Sequence, residues 1–420
     1  MKKIIQQAFF QLRNQPLLSV ITVLGTALAI ALIMVILIVY QAKTADYAPE
    51  VNRSRSLYVK WERTVYDKKD PNSAGHSRPS LWLVKEIFYP LTTPEAVTAT
   101  YEGGEVLVGT VGSDEEMNTP LMLTDAAFWK VYQFRFLAGK PFTEADFQSG
   151  MKQAVIAKSV ARRLFGGAEN AIGKDILVNF AAYTVCGVVD DVNRFCEFTW
   201  SEVYAPYTSN AIASEAEAGQ TSGNNVITIL ARSTDDFDAI RNEVARGVAQ
   251  INTTLGDMEL QLMGQPDNFR MQLNRKFANQ YENLNANFWK YGIMILIILL
   301  VPAINLSGLT NTRMRRRLEE LGIRKAFGAT RNELVWQVLN ENLVLTVMGG
   351  LLGLALAYLF LWLMSDWLLQ TVWGATATMN ASMVSPVIFL IAFGFCLILN
   401  MFSAYVPAWS GAYSNCRFVE

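Results

Sequence analysis

The chain has 420 residues, 51% hydrophobic and 17% charged, with a net charge of −1 at pH 7 and a mean hydropathy of +0.20. That balance excludes an ordinary soluble protein and a chain lying wholly in lipid; it fits several membrane helices joined to a sizeable water-exposed domain. One histidine excludes a His-rich metal site and leaves Ser-His-Asp chemistry a poor fit, and four cysteines without CxxC spacing give no zinc ribbon or redox motif.

Residues 1–15 begin with Lys2 and Lys3 and place Ile4, Ile5, Ala8, Phe9 and Leu12 on one helical face. This predicts a cytoplasmic amphipathic helix along the membrane surface. A first apolar run, "PLLSVITVLGTALAIALIMVILIVY", covers 16–40. It is too long for a signal peptide and reads as a retained anchor. Later runs cover 288–309, 333–364 and 384–406. Each holds roughly 20 mostly apolar residues, enough to cross about 30 Å of hydrocarbon as a helix. Pro302 kinks the second. Gly25 with Ala29, and Gly349 with Gly353, are small residues four apart, a spacing that lets helices pack closely in lipid.

Basic residues set the orientation. Lys2, Lys3 and Arg13 precede the first span without an acid, and the segment 310–332 carries Arg313, Arg315, Arg316, Arg317, Arg324, Lys325 and Arg331. The loop 365–383 has no Lys or Arg. Both termini, including the tail 407–420, and the basic loop are therefore expected in the cytoplasm, and residues 41–287 outside. The expected fold is a membrane protein of four transmembrane α-helices with a large extracytoplasmic α/β domain inserted between helices 1 and 2.

Within 41–287, "EVLVGTVG", "QAVIAKS", "DILVNF", "YTVCGVV" and "SEVYAPY" read as strands and "SVARRLFG" as a short helix. "NNVITILARS", "TDDFDAIRNEVARGVAQINTTLG" and "MELQLMG" read as a β-α-β unit, with Ile240, Val244 and Val248 on one helical face and Asp235 and Asp236 in its first turn. A strand-rich insert is expected over 112–203. A helix from about Asn268 to Asn287 is expected to run on as a stalk into the second span. His76 reads as a solvated loop residue. Asp190 and Asp191 read as turn residues, and the aromatics of "AFWKVYQFRF" and "FTW" as core. Cys186 and Cys196 lie on the oxidising side and are candidates for a disulfide across a hairpin, although Cys186, in an apolar strand, reads more readily as a free buried thiol.

The segment "RMRRRLEELGIRKAFGAT" follows the second span. Leu318, Leu321 and Lys325 fall at i, i+3 and i+7 with Ile323 and Ala326 adjoining, a narrow apolar stripe on a charged helix. Gly328 supplies a C-cap, and Thr330 with Glu333 a capping box for the next helix. A lipid-headgroup anchor would need neither the turn nor the apolar patch; a docking helix needs both. "GGAENAIGKD" is out of register for a P-loop and has Asp175 where a hydroxyl is required, so it reads as a structural turn. No catalytic nucleophile-base set and no metal set stands out.

The run "NLSGLTNTRMRRRLEELGIRKAFGATRNELVWQVLNENLVLTVMGGLLGLALAY" resembles the C-terminal domain of FtsX-like, MacB-type ABC transporter permeases. The opening "AFFQLRNQPLLSVITVLGTALAIAL" and the extracytoplasmic "ARRLFGGAENAIGKDILVNFAAYTVCGVVDDV" are similar to the same family, whereas the tail "VPAWSGAYSNCRFVE" diverges after Trp409. The resemblance implies a bacterial inner-membrane permease subunit without catalytic activity. It implies that Arg317, Leu318, Glu320, Leu321, Gly322, Ile323, Arg324, Lys325, Phe327 and Gly328 form a coupling helix docking a separate cytoplasmic ABC ATPase. ATP and Mg would be used by that partner and no cofactor bound by this chain. The other implied partners are a second permease chain, a periplasmic adaptor or substrate protein, and membrane lipid; no nucleic acid is expected. The expected function is mechanotransmission from ATP hydrolysis to the periplasmic domain, for efflux or for lipoprotein or peptide export. A conventional translocator with a path between protomers and an ATPase-independent receptor or sensor are the alternatives.

Overall fold

The computed structural model describes residues 16–110, 112, 116–211, 217–279, 327–328 and 330–368, with scattered single positions from 289 to 409. The chain divides into two units: Met1–Lys43 with Asn285–Glu420, and Thr44–Leu284. The first unit opens with helix α1 (Pro16–Thr44).

Among the described residues the second unit contains fourteen strands. They are β1 (Ser56–Val59), β2 (Glu62–Val65), β3 (Ala74–Pro79), β4 (Ala96–Thr110), β5 (Glu116–Thr124), β6 (Phe136–Gly139) and β7 (Gln153–Ala157), then β8 (Asp175–Val178), β9 (Ala181–Val189), β10 (Val203–Pro206), β11 (Ser222–Gly223), β12 (Asn225–Leu230), β13 (Glu259–Gln261) and β14 (Asp267–Asn268). Ten form one mixed sheet in the order β14-β1-β12-β4-β5-β10-β7-β9-β6, with β8 joining β4 and β9. The order β11-β3-β2-β13 makes a second sheet. Strands from the 112–203 segment and strands flanking it therefore share a single hydrogen-bonded sheet.

That sheet is buried on both faces, so its strands are apolar without strict alternation. Along β12, Ile227 and Ile229 join a large aliphatic cluster, while Val226 and Leu230 join an aromatic one. The same split puts Leu57 and Val59 of β1 on the aliphatic side and Tyr58 on the aromatic side. The aliphatic side is covered by helices α2 (Lys158–Phe165), α3 (Ala168–Ala171) and α4 (Phe237–Asn252). Ile240 and Val244 of α4 are buried and Val248 packs beside them. Ser233 and Asp236 close a capping box just before α4. The aromatic side holds Phe128, Trp129, Tyr132, Phe134, Phe136 and Phe198, all read as core from the sequence, whereas Trp200, read the same way, is half-buried under the Arg194 guanidinium at 4.6 Å.

Several expectations change. The strands flanking α4 lie in different sheets, β12 against β1 and β4 and β13 against β2, so the segment is not a β-α-β unit. His76 sits exposed on β3, opposite Arg63, rather than in a loop. Asp191 accepts from the Ser159 backbone N–H at the start of α2 (2.9 Å), while Asp190 faces Arg135 and Lys158. The expected helix 268–287 is interrupted: helix α5 covers only Phe269–Asn274 and Arg275 is extended. The reason is electrostatic, because extending Arg275 turns its guanidinium back onto the buried Asp267. Cys186 and Cys196 are both free thiols. Cys186 donates to the Ala154 carbonyl at 3.4 Å, and Cys196 is sealed in the β9–β10 loop.

The first unit ends its described part with helix α6 (Arg331–Leu368), one continuous run of 38 residues. Within it Leu343–Leu363 is long and apolar enough to cross a membrane, and Val23–Ile38 of α1 is a shorter apolar stretch. The spans expected at 288–309 and 384–406 fall outside the described residues apart from single positions.

At Gly139 the backbone has φ +67°, and a Cβ would overlap the Cys186 carbonyl oxygen and lie 2.7 Å from Ile172 Cδ1. Gly139→Ala should cost about 2–3 kcal/mol. Gly219, at φ +85° in open space, should lose only about 1 kcal/mol on the same change. Denaturant midpoints followed by tryptophan fluorescence check both.

Candidate functional site

The apolar face of α6 repeats every four residues. Leu345, Gly349, Gly353, Ala357 and Leu361 form one row, with Leu345, Ala357 and Leu361 at 3%, 0% and 2% exposure. This row meets α1. A Cβ on Gly349 would stand 2.8 Å from Thr26 Cβ and 3.2 Å from the Val23 carbonyl oxygen. A Cβ on Gly353 would stand 2.7 Å from the Ala27 carbonyl oxygen and 2.9 Å from Ile30 Cβ. The two backbones are therefore closer than any side chain at these glycines permits. Beyond the glycines, Ile30, Ala31, Met34 and Ile38 of α1 continue the seam against Ala357 and Leu361.

Gly25 takes no part. Nothing lies within 4 Å of where its Cβ would be, and Ala29 is only half-buried; the small residue α1 offers is Ala27. The faces turned away from the seam are also apolar: Leu24, Leu28 and Leu32 on α1, and Leu351, Tyr358, Leu359 and Trp362 on α6, are all exposed. Helices apolar on every side suit lipid or neighbouring helices, not water.

The start of α6 is capped from within the chain. The Thr330 backbone N–H donates to Glu333 Oε2 at 2.8 Å, and the Glu333 N–H donates to Thr330 Oγ1 at 3.4 Å. Two residues earlier Gly328 has φ +94°, a conformation that favours glycine. Phe327, at 88%, is the most exposed large apolar residue described. Arg317, Leu318, Glu320, Leu321, Gly322, Ile323, Arg324 and Lys325 lie outside the described residues.

In the second unit, buried charge gathers where the chain comes in and goes out. The incoming segment follows α1, which ends at Thr44. Arg53, with its side chain fully buried, donates through Nε to Glu50 Oε2 (2.7 Å), through Nη1 to the Ala45 carbonyl (2.8 Å) and through Nη2 to the Phe195 carbonyl (2.9 Å). Its guanidinium lies over the rings of Tyr47 and Phe269, 4.2 and 4.7 Å from their centroids. Glu50 also accepts from the Phe198 N–H and Thr199 Oγ1, both at 3.0 Å. Burial pushes the Glu50 carboxyl above its usual range, against the pull of Arg53, Thr199 and Phe198.

The outgoing segment has its own pair. Arg275 donates to both oxygens of Asp267 (2.5 and 3.0 Å) and to the carbonyls of Ala278 and Met263 (2.8 and 3.1 Å). The segments are joined directly, since β1 pairs with β14 at Leu57–Asn268 and Tyr58–Asp267. Removing one member of either buried pair strands the other, at a cost of about 3–5 kcal/mol. Sequence reasoning missed these four residues. Glu50 and Arg53 at i, i+3 look like an ordinary charged turn, and Phe195 is 142 residues away.

A glycine-sealed helix pair without an aqueous side, carried on the same chain as a folded domain with a polar periphery, defines a membrane protein with a soluble domain. Residues 19–246 match the MacB-like periplasmic core domain, and residues 292–415 match the FtsX-like permease C-terminal. The chain belongs to the MacB-like, FtsX-like family of ABC transporter permeases. It is 23% identical over 345 residues to the "Uncharacterized ABC transporter permease YknZ" of Bacillus subtilis, covering 81% of each chain. It is 25% identical over 359 residues to the "Macrolide export ATP-binding/permease protein MacB" of Wolinella succinogenes, covering 84% of this chain and 52% of that protein, about half its length. The crystal structure of the periplasmic region of MacB from Actinobacillus actinomycetemcomitans is 15% identical, covers 49% of this chain and 89% of that one, and aligns with a TM-score of 0.34.

Gly353→Leu should lower the thermal unfolding midpoint of the detergent-solubilised protein, by about 1–3 kcal/mol in stability. Gly25→Leu, pointing into open space, should leave it unchanged. Glu333→Ala removes the cap and should accelerate amide exchange in the first turn of α6, corrected for intrinsic rates.

Proposed function

We propose that this chain is the permease subunit of an ABC complex whose ATP hydrolysis is supplied by a separate cytoplasmic subunit. Its membrane part has four spans, at 16–40, 288–309, 333–364 and 384–406, and its domain lies outside between the first two. Both termini are cytoplasmic in the bacterial inner membrane, and two permease chains make the working unit. ATP-driven closure of the ATPase pushes the helix Arg317–Lys325, and the membrane helices pass that displacement to the domain. The domain's change of shape drives an export step on a peptide, drug or lipoprotein.

One observation carries this reading. The continuous helix α6 begins at the capped turn just after the basic segment and packs backbone-close on α1. Helix α1 in turn ends at Thr44, the first residue of the folded domain. A push at the turn would therefore reach α1 through a tightly packed seam, and α1 is one continuous helix to Thr44. The relatives support an export role: one is named for macrolide export and others for pyoverdine export, and each of those names includes an ATP-binding part. In this chain the matched segments are the periplasmic core and the permease C-terminal.

Leu321→Asp places a charge at the centre of the coupling helix's apolar patch. Affinity purification of the tagged chain should lose its ATPase partner, read by mass spectrometry, while the protein still inserts and folds. An ATPase retained at the wild-type level would overturn the docking assignment and favour the sensor.

A further inference from the structure

We propose that Glu50 and Arg53 form a latch that carries displacement of α1 directly into the β9–β10 loop, residues 190–202, without passing through the sheet. This rests on the coupling reading above and names the part of the domain that responds to it.

Two routes lead from the incoming segment to β9 and β10. Along the sheet, movement of β1 must cross β12 and β4, and then β5 before it reaches β10 or β8 before it reaches β9. Each ladder shears and twists a little, so displacement is spread over all of them. The second route is a single side chain. One end of the Arg53 fork holds the Ala45 carbonyl, one residue past the end of α1, and the other holds the Phe195 carbonyl in the loop. Glu50 takes the next grip, on the Phe198 N–H and the Thr199 hydroxyl. Lys60 pairs with Glu197, and the Tyr58 ring stacks on Phe198 at 4.4 Å.

The loop thus has its ends in β9 and β10 but its middle fixed to residues 45–60. A planar guanidinium is the side chain suited to this task, because its donors are rigidly spaced and it stays charged. The pair is buried at 0% and 1% side-chain exposure, so neither salt nor water competes with it. A mere staple would hold the loop in place. A latch must also respond when the α1–α6 seam is disturbed, and that difference can be measured.

The protein carries its own reporter. Cys196 is 0% exposed in the middle of this loop, one residue after the Phe195 carbonyl that Arg53 holds. Cys186, on β9, is a free, half-buried reference thiol. The experiment is peptide-resolved alkylation by N-ethylmaleimide of the full chain in proteoliposomes. Gly353→Leu should raise the Cys196 rate about tenfold through local opening and leave Cys186 within about twofold. Arg53→Lys keeps the charge but loses the fork, and should raise Cys196 labelling alone. Adding Gly353→Leu to Arg53→Lys should then have no further effect. Thr199→Val, which removes one donor to Glu50, gives the same test where Arg53→Lys fails to fold.

Three outcomes overturn the latch. Gly353→Leu leaves Cys196 unchanged; the two cysteines accelerate together; or the effects of the two substitutions simply multiply. None of these rates requires an ATPase, so a failed docking experiment and a failed latch are told apart.

Discussion

Two absent methyl groups hold this molecule's working parts together. At Gly349 and Gly353 the backbone of α6 lies against α1 at a separation that no side chain would allow. In lipid the hydrophobic effect gives helices no reason to associate, so contact must come from fitted surfaces. The four-residue repeat of Leu345, Gly349, Gly353, Ala357 and Leu361 makes such a surface over more than four turns. A seam this close resists sliding and tilting, because any shift forces carbonyl oxygens into Cα atoms. Stiffness is what a helix pair needs if movement at one end is to be felt at the other.

The domain meets this stiffness with a different chemistry. Its incoming and outgoing segments are neighbours on one sheet edge, through β1 and β14, and each is fastened by a buried ion pair. Desolvating these charges is expensive, and aliphatic packing of the same volume would serve stability as well or better. What the ions add is direction. Arg53 and Arg275 address named carbonyls on named loops, so the attachment points cannot drift among near-equivalent packings. The interrupted helix at Arg275 belongs to the same logic: continuity of helix was sacrificed for a fixed grip on Asp267.

The sequence disclosed the parts governed by local rules. Apolar run length predicted α1 and α6, helical period predicted α4, and Gly328 with Thr330 and Glu333 predicted the turn before α6 down to its hydrogen bonds. It did not disclose partnerships between distant residues. Small residues four apart occur on both α1 and α6, but sequence does not say which of them meet another helix; Gly349 and Gly353 do, while Gly25 looks the same in sequence and faces open space. The β-α-β pattern at 224–264 was sound for each element, yet which sheet a strand joins is decided by non-local pairing, and β13 went to β2. The Glu50–Arg53 centre was invisible for the same reason, since its meaning comes from a loop about 140 residues away.

The incoming and outgoing segments share one margin of the ten-stranded sheet, through β1 and β14. Beyond them β4, β5, β10, β7, β9 and β8 pair in turn, and β8 returns to β4 and closes a ring. Strands closed into a ring cannot fan apart one by one. A tilt given to β1 would therefore turn those six strands together, as a drum turns on its rim.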